Sequence, residues 1–342
     1  MVNTALSKRL LKLANNSLGN IYADSKIVEL KNDYSPTNIP MLNIALSGKW
    51  NGGISPGITV LAGPSKMGKT FIGLIFVEAY LRKYEDAICV FLDSELGANT
   101  TYFNNLNIDM NRLVHLPIKN IEDAKFQSVK IMEELQEDEH VIFFFDSIGN
   151  TASKKELDDA LDEKSVADMS RAKQIKSYFR MITPYVNLKQ IPCIVINHTY
   201  ETMSLFPQTT MGGGTGPMYS ADTVLFLSKS KEKDGTELSG FNFKLKVEKS
   251  RTIREGSTFV LNTTFNEGVD KYSDLFEFAL ESGFITSPTK GYYQKHEKYG
   301  DEKKYRKSEF DRNDDMWKDI IEDEEFRSTY EKSVSLWTNI GK

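Results

Sequence analysis

Apolar and polar positions change period several times along the chain, and each change marks an element. Between Thr4 and Asn15, Leu6, Leu10, Leu11 and Leu13 form a broad stripe, with Ser7, Lys8, Arg9 and Lys12 on the polar side. That spacing predicts a short amphipathic helix. The stretch from Asn20 to Tyr34 is mixed and poor in apolar residues. Such an arm buries little by itself and leans either on its own core or on a neighbouring molecule. From Pro40 onward, short apolar runs alternate with helical patterns. Residues 58–62, 87–92, 113–116, 141–145, 192–196 and 223–227 read as strands, and 71–84, 121–136 and 165–188 as helices. Repeated strand–helix units predict an α/β fold with a mostly parallel, twisted sheet and helices on both faces. Lys233-Asp234-Gly235-Thr236 predicts a hairpin turn. Alternation over 241–247, and less cleanly over 258–265, predicts antiparallel strands at the end of the core. Past about Asp270 the chain turns polar and charged, with one more helical pattern over 319–330. The expected organisation is an N-terminal helix and oligomerisation arm (1–38), a core (39–268) and a small C-terminal α+β domain (269–342).

Composition narrows the function classes. Of 342 residues, 40% are apolar and 27% charged, the balance of a water-soluble globular chain. No apolar run approaches the roughly 20 residues that span a bilayer, and the N-terminus shows no secretory signal pattern. Cys89 and Cys193 lie within strand-like apolar runs and read as reduced core residues. The four histidines lack metal-ligand spacing. A net charge of −5 argues against a uniformly basic nucleic-acid binder but permits a local basic groove.

The chemistry is concentrated in Gly63-Pro64-Ser65-Lys66-Met67-Gly68-Lys69-Thr70, a complete phosphate-binding loop between a strand and a helix. The glycines let backbone N–H groups face phosphate oxygens. Lys69 reaches the β- and γ-phosphates, the Thr70 hydroxyl ligates Mg²⁺, and the following helix aims its positive end at the anion. ATP with Mg²⁺ is the expected cofactor. The apolar run 143–145 ends in Asp146, which in a parallel sheet stands beside that loop and completes the metal shell. A second strand ends in Asp93-Ser94-Glu95, where a carboxylate either orients and deprotonates the attacking water or caps the next helix. A third ends in Asn197-His198, either of which can sense the γ-phosphate.

Residues 199–217 form a long, weakly periodic stretch holding Gly212-Gly213-Gly214, with Met203 and Phe206 interleaved. Glycines permit close backbone approach to phosphates, and exposed apolar side chains wedge between the bases of a single strand. A substrate lid unrelated to DNA has the same look. A second candidate DNA loop covers about 150–165, with Arg171 and Lys173 following to meet phosphates.

These phrases, with 61–66, 146–156, 196–202, 211–224 and 247–252, make the chain resemble the RecA-type recombinases over roughly residues 39–290, most closely the branch carried by T-even-like bacteriophages. The resemblance implies a RecA-like P-loop ATPase core. It implies a DNA-dependent ATPase that forms helical homo-oligomeric filaments on single-stranded DNA and exchanges strands with homologous duplex DNA, in recombination, replication and repair. It also implies nucleotide bound between subunits, phage mediator and single-strand-binding proteins as partners, and the host cytoplasm as location. Glu95 takes the place of the family's water-activating glutamate, Tyr102 of an adenine-stacking aromatic, and Phe265 of a neighbour's aromatic at the base. Lys249 and Arg251 match a basic pair that reaches the γ-phosphate from the next subunit; otherwise they are solvated strand-end charges. His198 stands for a glutamine that relays nucleotide state. Gly212 and Gly213 match strand-contacting glycines, and Met203 lies near a base-wedging residue. Two positions depart from the pattern: Pro217 replaces a lysine, and Asn99 an adenine-reading aspartate. A ring-forming helicase motor, or an assembly protein that ATP merely switches, remains the competing expectation on the same fold.

Overall fold

The computed structural model describes residues 4–16, 18–20, 22, 25, 32–97, 100–162, 170–202 and 209–336. In chain order the strands are β1 (Gly57–Ala62), β2 (Ile88–Asp93), β3 (Leu113–Pro117), β4 (Val141–Asp146), β5 (Pro192–Asn197), β6 (Thr199–Glu201), β7 (Thr209–Met211), β8 (Thr223–Asp234), β9 (Glu237–Lys249), β10 (Thr258–Thr264), β11 (Gly268–Val269), β12 (Ile285–Thr289) and β13 (Tyr292–Lys295). Nine of these form one sheet in the order β11-β10-β9-β8-β1-β5-β4-β2-β3. From β8 to β3 every neighbouring pair is parallel, and β9, β10 and β11 continue antiparallel.

The continuous apolar runs follow from burial on both faces. On β4, Ile142 and Phe144 pack with Ile72 and Phe76 of the helix Lys69–Lys83. Phe143 and Phe145 point the other way, to Ile175, Tyr178 and Phe179 of the helix Ser170–Leu188. Each such side chain, fully buried, contributes about 1.5–3 kcal/mol. Because the central strands are parallel, the loops that leave β1, β2, β4 and β5 emerge at one edge, and that edge gathers the polar residues.

Several elements differ from the sequence expectation. The helix expected over 71–84 begins at Lys69, because Gly68 at φ 78 turns the chain directly into it. The stretch after β4, expected as a loop, holds a helix at Lys154–Leu161. Ser153 and Glu156 cap it reciprocally, with each side chain accepting the other's backbone N–H. The single C-terminal helix expected over 319–330 is two helices, Asp314–Glu322 and Glu324–Val334. Asp323 breaks the run in extended backbone and caps the second helix by accepting from Glu325 N–H. Within the 199–217 stretch, β6 and β7 pair as a small hairpin. The hairpin turn expected at 233–236 is present, closed by the Asp234–Glu237 pair. Most of the arm at 20–34, and residues 163–169, lie outside the described residues. The N-terminal helix Thr4–Ala14 leaves Leu10 and Leu13 exposed.

The C-terminal segment shares the sheet's apolar cluster. Trp317, Phe310, Phe276 and Phe326 join Phe259, Leu261 and Trp50 in one contiguous group. Phe326 meets Trp50 edge-on at 5.7 Å and Phe284 at 5.1 Å. Phe326→Ala is therefore expected to destabilise the whole protein by about 3–5 kcal/mol. Urea denaturation followed by circular dichroism should show one cooperative transition at lower midpoint. A separate early transition carrying only the C-terminal helices would contradict the shared core.

Candidate nucleotide site

The phosphate loop is shaped by what stands behind it. A Cβ on Gly63 would meet the Leu227 carbonyl oxygen at 2.5 Å, and one on Gly68 would meet the Phe243 ring at 2.5 Å. Both positions therefore exclude any side chain. Lys69 is buried, and its Nζ donates to the carbonyl oxygens of Gly63 (3.0 Å) and Pro64 (2.7 Å). Burial lowers its pKa, against the opposing charges of Glu95 and Asp146. Ser65, Lys66, Met67, Gly68, Lys69 and Thr70 line a cleft of about 120 Å³ with Glu95, Tyr102, Asp146 and His198. Gly63 and Pro64 line the adjoining groove instead.

At the tip of β4, Asp146 Oδ2 accepts from the Thr70 hydroxyl at 2.6 Å. Its other oxygen, Oδ1, is buried and meets no donor. Burial, reinforced by the charges of Glu95 and Asp93, pushes this carboxyl up to about 6. An orphaned buried carboxylate oxygen beside a hydroxyl suits a hard divalent cation, so the residues fit Mg²⁺.

Glu95 follows β2. Its Oε1 accepts from Ser147 Oγ (2.6 Å), Asn150 Nδ2 (2.8 Å) and His198 Nε2 (3.1 Å). The His198 hydrogen bond, then Ser147 and the Lys69 charge, hold it down at about 2, against burial. So held, Glu95 is ionised and accepts a proton poorly. An ionised carboxylate so placed is an acceptor to which a water can be oriented.

His198 connects this cleft to the glycine loop. Its carbonyl accepts from Gly212 N–H at 2.9 Å, and the Asn197 side chain donates to the Gly212 carbonyl at 3.0 Å. Gly212 and Gly213 are the glycines expected to contact a DNA strand. Both are buried, Gly212 against Asn197 and His198 and Gly213 against Ile175. Arg171, expected to meet a phosphate, donates to the carbonyls of Thr151 (2.8 Å), Ile148 (3.4 Å) and Gly149, and so holds the loop after β4. Met203, Phe206 and Asn99 lie outside the described residues.

Lys249 and Arg251 stand away from the cleft. Lys249 donates to the carbonyls of Met218 (2.8 Å) and Tyr219 (3.2 Å). Burial, then the nearby Arg251 charge, lowers its pKa. Arg251 pairs with Asp222 at 2.5 Å, and Asp222 also accepts from Ile58 N–H at the start of β1. The phosphate loop leaves the other end of β1, about 16 Å away at 3.3 Å per residue. Tyr102, 42% exposed, forms part of the cleft wall. Phe265, expected to serve a neighbour's nucleotide, is joined to its own loop by a row of rings. Phe71 meets Phe243 at 6.1 Å, Phe243 meets Phe241 at 6.3 Å, and Phe241 meets Phe265 at 5.6 Å.

Sequence reasoning missed Ser147 and Asn150, which hold Glu95, although both lie within four residues of Asp146. It also missed Lys244 and Lys246, exposed on the outer face of β9 in a groove of about 590 Å³ shared with Thr199 and Thr209. The alternation in Lys244-Leu245-Lys246-Val247 was the available signal.

The strand order and the Thr70–Asp146 bond put the chain in the P-loop class of nucleotide-binding proteins. Within that class, residues 9–270 match the RecA N-terminal domain. Residues 272–330 match the C-terminal domain of the bacteriophage T4 recombination and repair protein. The chain is 48% identical to the recombination and repair protein of Enterobacteria phage T4 over 288 residues, 84% of this chain and 73% of that one. It is 25% identical to Protein RecA of Mycoplasma mobile over 268 residues, 77% of this chain and 78% of that one. It is also 25% identical to Protein RecA of Chlorobaculum tepidum over 288 residues, 83% of this chain and 78% of that one. The chain belongs to the RecA family, on the branch of the phage T4 protein. Among the described residues no helix is long and apolar enough to cross a membrane.

The Asp146 environment sets a pH dependence. Its pKa lies above the ordinary 3.8, so its burial favours the folded chain at low pH, and that contribution is lost as pH rises through about 6. A bound cation reverses this and competes with the proton. Mg²⁺ affinity should therefore fall about tenfold between pH 7 and pH 5. Titrating Mg²⁺ against a fluorescent ATP analogue at both pH values measures this, and Asp146→Asn should flatten the dependence.

Proposed function

We propose that this protein is an ATP-driven recombinase that assembles as a helical filament on single-stranded DNA, pairs it with homologous duplex DNA and exchanges strands. The work belongs to recombination, recombination-dependent replication and repair in the cytoplasm of an infected bacterium, where phage mediator and single-strand-binding proteins are its further partners. Its likeness to a phage recombination and repair protein supports this reading. The observation that carries it is the hydrogen-bonded path from Glu95 through His198 to Gly212. That path ties the carboxylate beside the phosphate loop to the root of the 199–217 stretch, so nucleotide state and DNA contact act on each other reciprocally.

In the mechanism, backbone N–H groups of the phosphate loop bind the triphosphate, and Lys69 swings from the Gly63 and Pro64 carbonyls to the β- and γ-oxygens. Thr70 and Asp146 would hold Mg²⁺, which would offset charge on those oxygens. Glu95 aligns the attacking water. When His198 leaves Glu95 for the γ-phosphate, Glu95 becomes more basic and the Gly212 contact moves with it. Tyr102 and Phe265 flank the base. The 199–217 hairpin takes the single strand; in the groove beside it Lys244 and Lys246 stand with Glu201 and Glu248, and Lys246 pairs with Glu248 at 3.2 Å.

Two observations favour a nucleotide shared between subunits. The cleft of about 120 Å³ in one chain is smaller than the roughly 300 Å³ at which small-molecule sites begin. Lys249 and Arg251 lie too far from their own loop and so act on a neighbour's γ-phosphate, in the manner of an arginine finger. Replacing both by alanine should cut DNA-stimulated hydrolysis by about 10³-fold or more, while nucleotide binding by the monomer survives. Unchanged turnover would exclude the shared site. Electron microscopy with single-stranded DNA should show extended filaments only when ATP is present. Closed rings would instead indicate a helicase motor, and coating without nucleotide would break the ATP link.

A further inference from the structure

Glu95 is fixed twice, and its side-chain partners are only half of the arrangement. The backbone half comes from Asp93, whose carboxylate is 4% exposed at the tip of β2. Asp93 Oδ1 accepts from Glu95 N–H at 3.1 Å and from Leu96 N–H at 2.6 Å. Leu96 sits at φ 53, in left-handed backbone that a leucine keeps only when its surroundings hold it there. The two N–H bonds curl the chain just past the strand and set where the Glu95 side chain departs. Asp93 Oδ2 meets His115 Nε2 at 3.1 Å. An ionised carboxylate only accepts, so the imidazole N–H donates.

His115 comes from β3, directly opposite Phe91 in the β2–β3 register, and its ring packs beside Phe91 at 5.5 Å. From there it reaches along the strand to Asp93, two residues on and on the same face. Asp93 carries negative charge close to Asp146. The imidazole from β3 thus occupies the carboxylate oxygen that the two N–H groups leave free. Neither residue lines the nucleotide cleft.

We propose that Asp93 and His115 are positioning residues for Glu95. Through them, edge strand β3 sets the geometry of the water-orienting carboxylate. This step rests on Glu95 orienting the water. His115 acts only by holding Asp93, so its loss should slow the chemical step and leave ATP binding alone.

The test compares DNA-stimulated ATP hydrolysis in wild type, His115→Ala, His115→Gln and Glu95→Gln. DNA coverage by each variant is measured separately with a non-hydrolysable ATP analogue. His115→Ala should lower kcat about tenfold and leave KM for ATP within about twofold. His115→Gln should regain most of that loss, because the glutamine amide also donates to Asp93. Coverage of single-stranded DNA should match wild type in both His115 variants. Wild-type turnover in His115→Ala, a glutamine no better than alanine, or a loss that only tracks lost coverage would each overturn the proposal. Glu95→Gln separates the two levels. If it turns over like wild type, the reading of Glu95 fails and this step falls with it. If it is inactive while His115→Ala is normal, only the positioning role fails.

Discussion

Three carboxylates crowd the carboxyl edge of the parallel sheet, and the site is arranged around keeping them there. Asp93, Glu95 and Asp146 end or follow β2 and β4, two directly paired strands. Like charges this close disfavour ionisation, and burial disfavours it further. Each carboxylate is handled differently. Glu95 takes three donors, so it stays charged far below its ordinary range. Asp93 takes two backbone N–H groups and an imidazole. Asp146 takes only the Thr70 hydroxyl, and its unsatisfied oxygen with its raised pKa shows where a cation belongs.

The sheet makes that edge rigid enough for the arrangement to hold. Strands buried on both faces cannot slip without turning apolar side chains out of two cores at once. The C-terminal segment adds to one of those cores through Trp317, Phe310 and Phe326. It therefore stiffens the antiparallel half of the sheet as well as covering it. The glycine loop is anchored at its root by Asn197 and His198, so its state is read from β5, between the phosphate-loop strand and the aspartate strand.

How much of this the sequence showed depends on how local each feature is. The phosphate loop was legible because all of its parts lie within eight consecutive residues. Asp146 was legible because an apolar strand announces its own end. The helix at Lys154–Leu161 carried a readable Ser153–Glu156 capping pair, but its mixed charges made it look like a loop. The partners of Glu95 were less visible, because Ser147 and Asn150 reach it only through the pairing of β2 with β4. His115 reaches Asp93 only through the pairing of β2 with β3. The place of Arg171 is hidden for a related reason. A cation near a suspected DNA loop looks free until the carbonyls of 148–151 are found around it. The tie between Phe265 and its own phosphate loop required the register of β9 and β10, which apolar spacing does not specify.

Strand β9 carries two duties on opposite sides. Its inward row, Phe243 and Leu245, backs the nucleotide loop and the sheet core, while its outward row offers Lys244 and Lys246 to the groove. Losing a single residue within this ribbon would exchange the rows, withdrawing the aromatic backing and hiding the cations together. Replacement along the outward row carries no such penalty. The chain can thus retune the charge along this groove by substitution, while a change of length in the ribbon is absorbed only at irregular positions such as the two register shifts between β8 and β9.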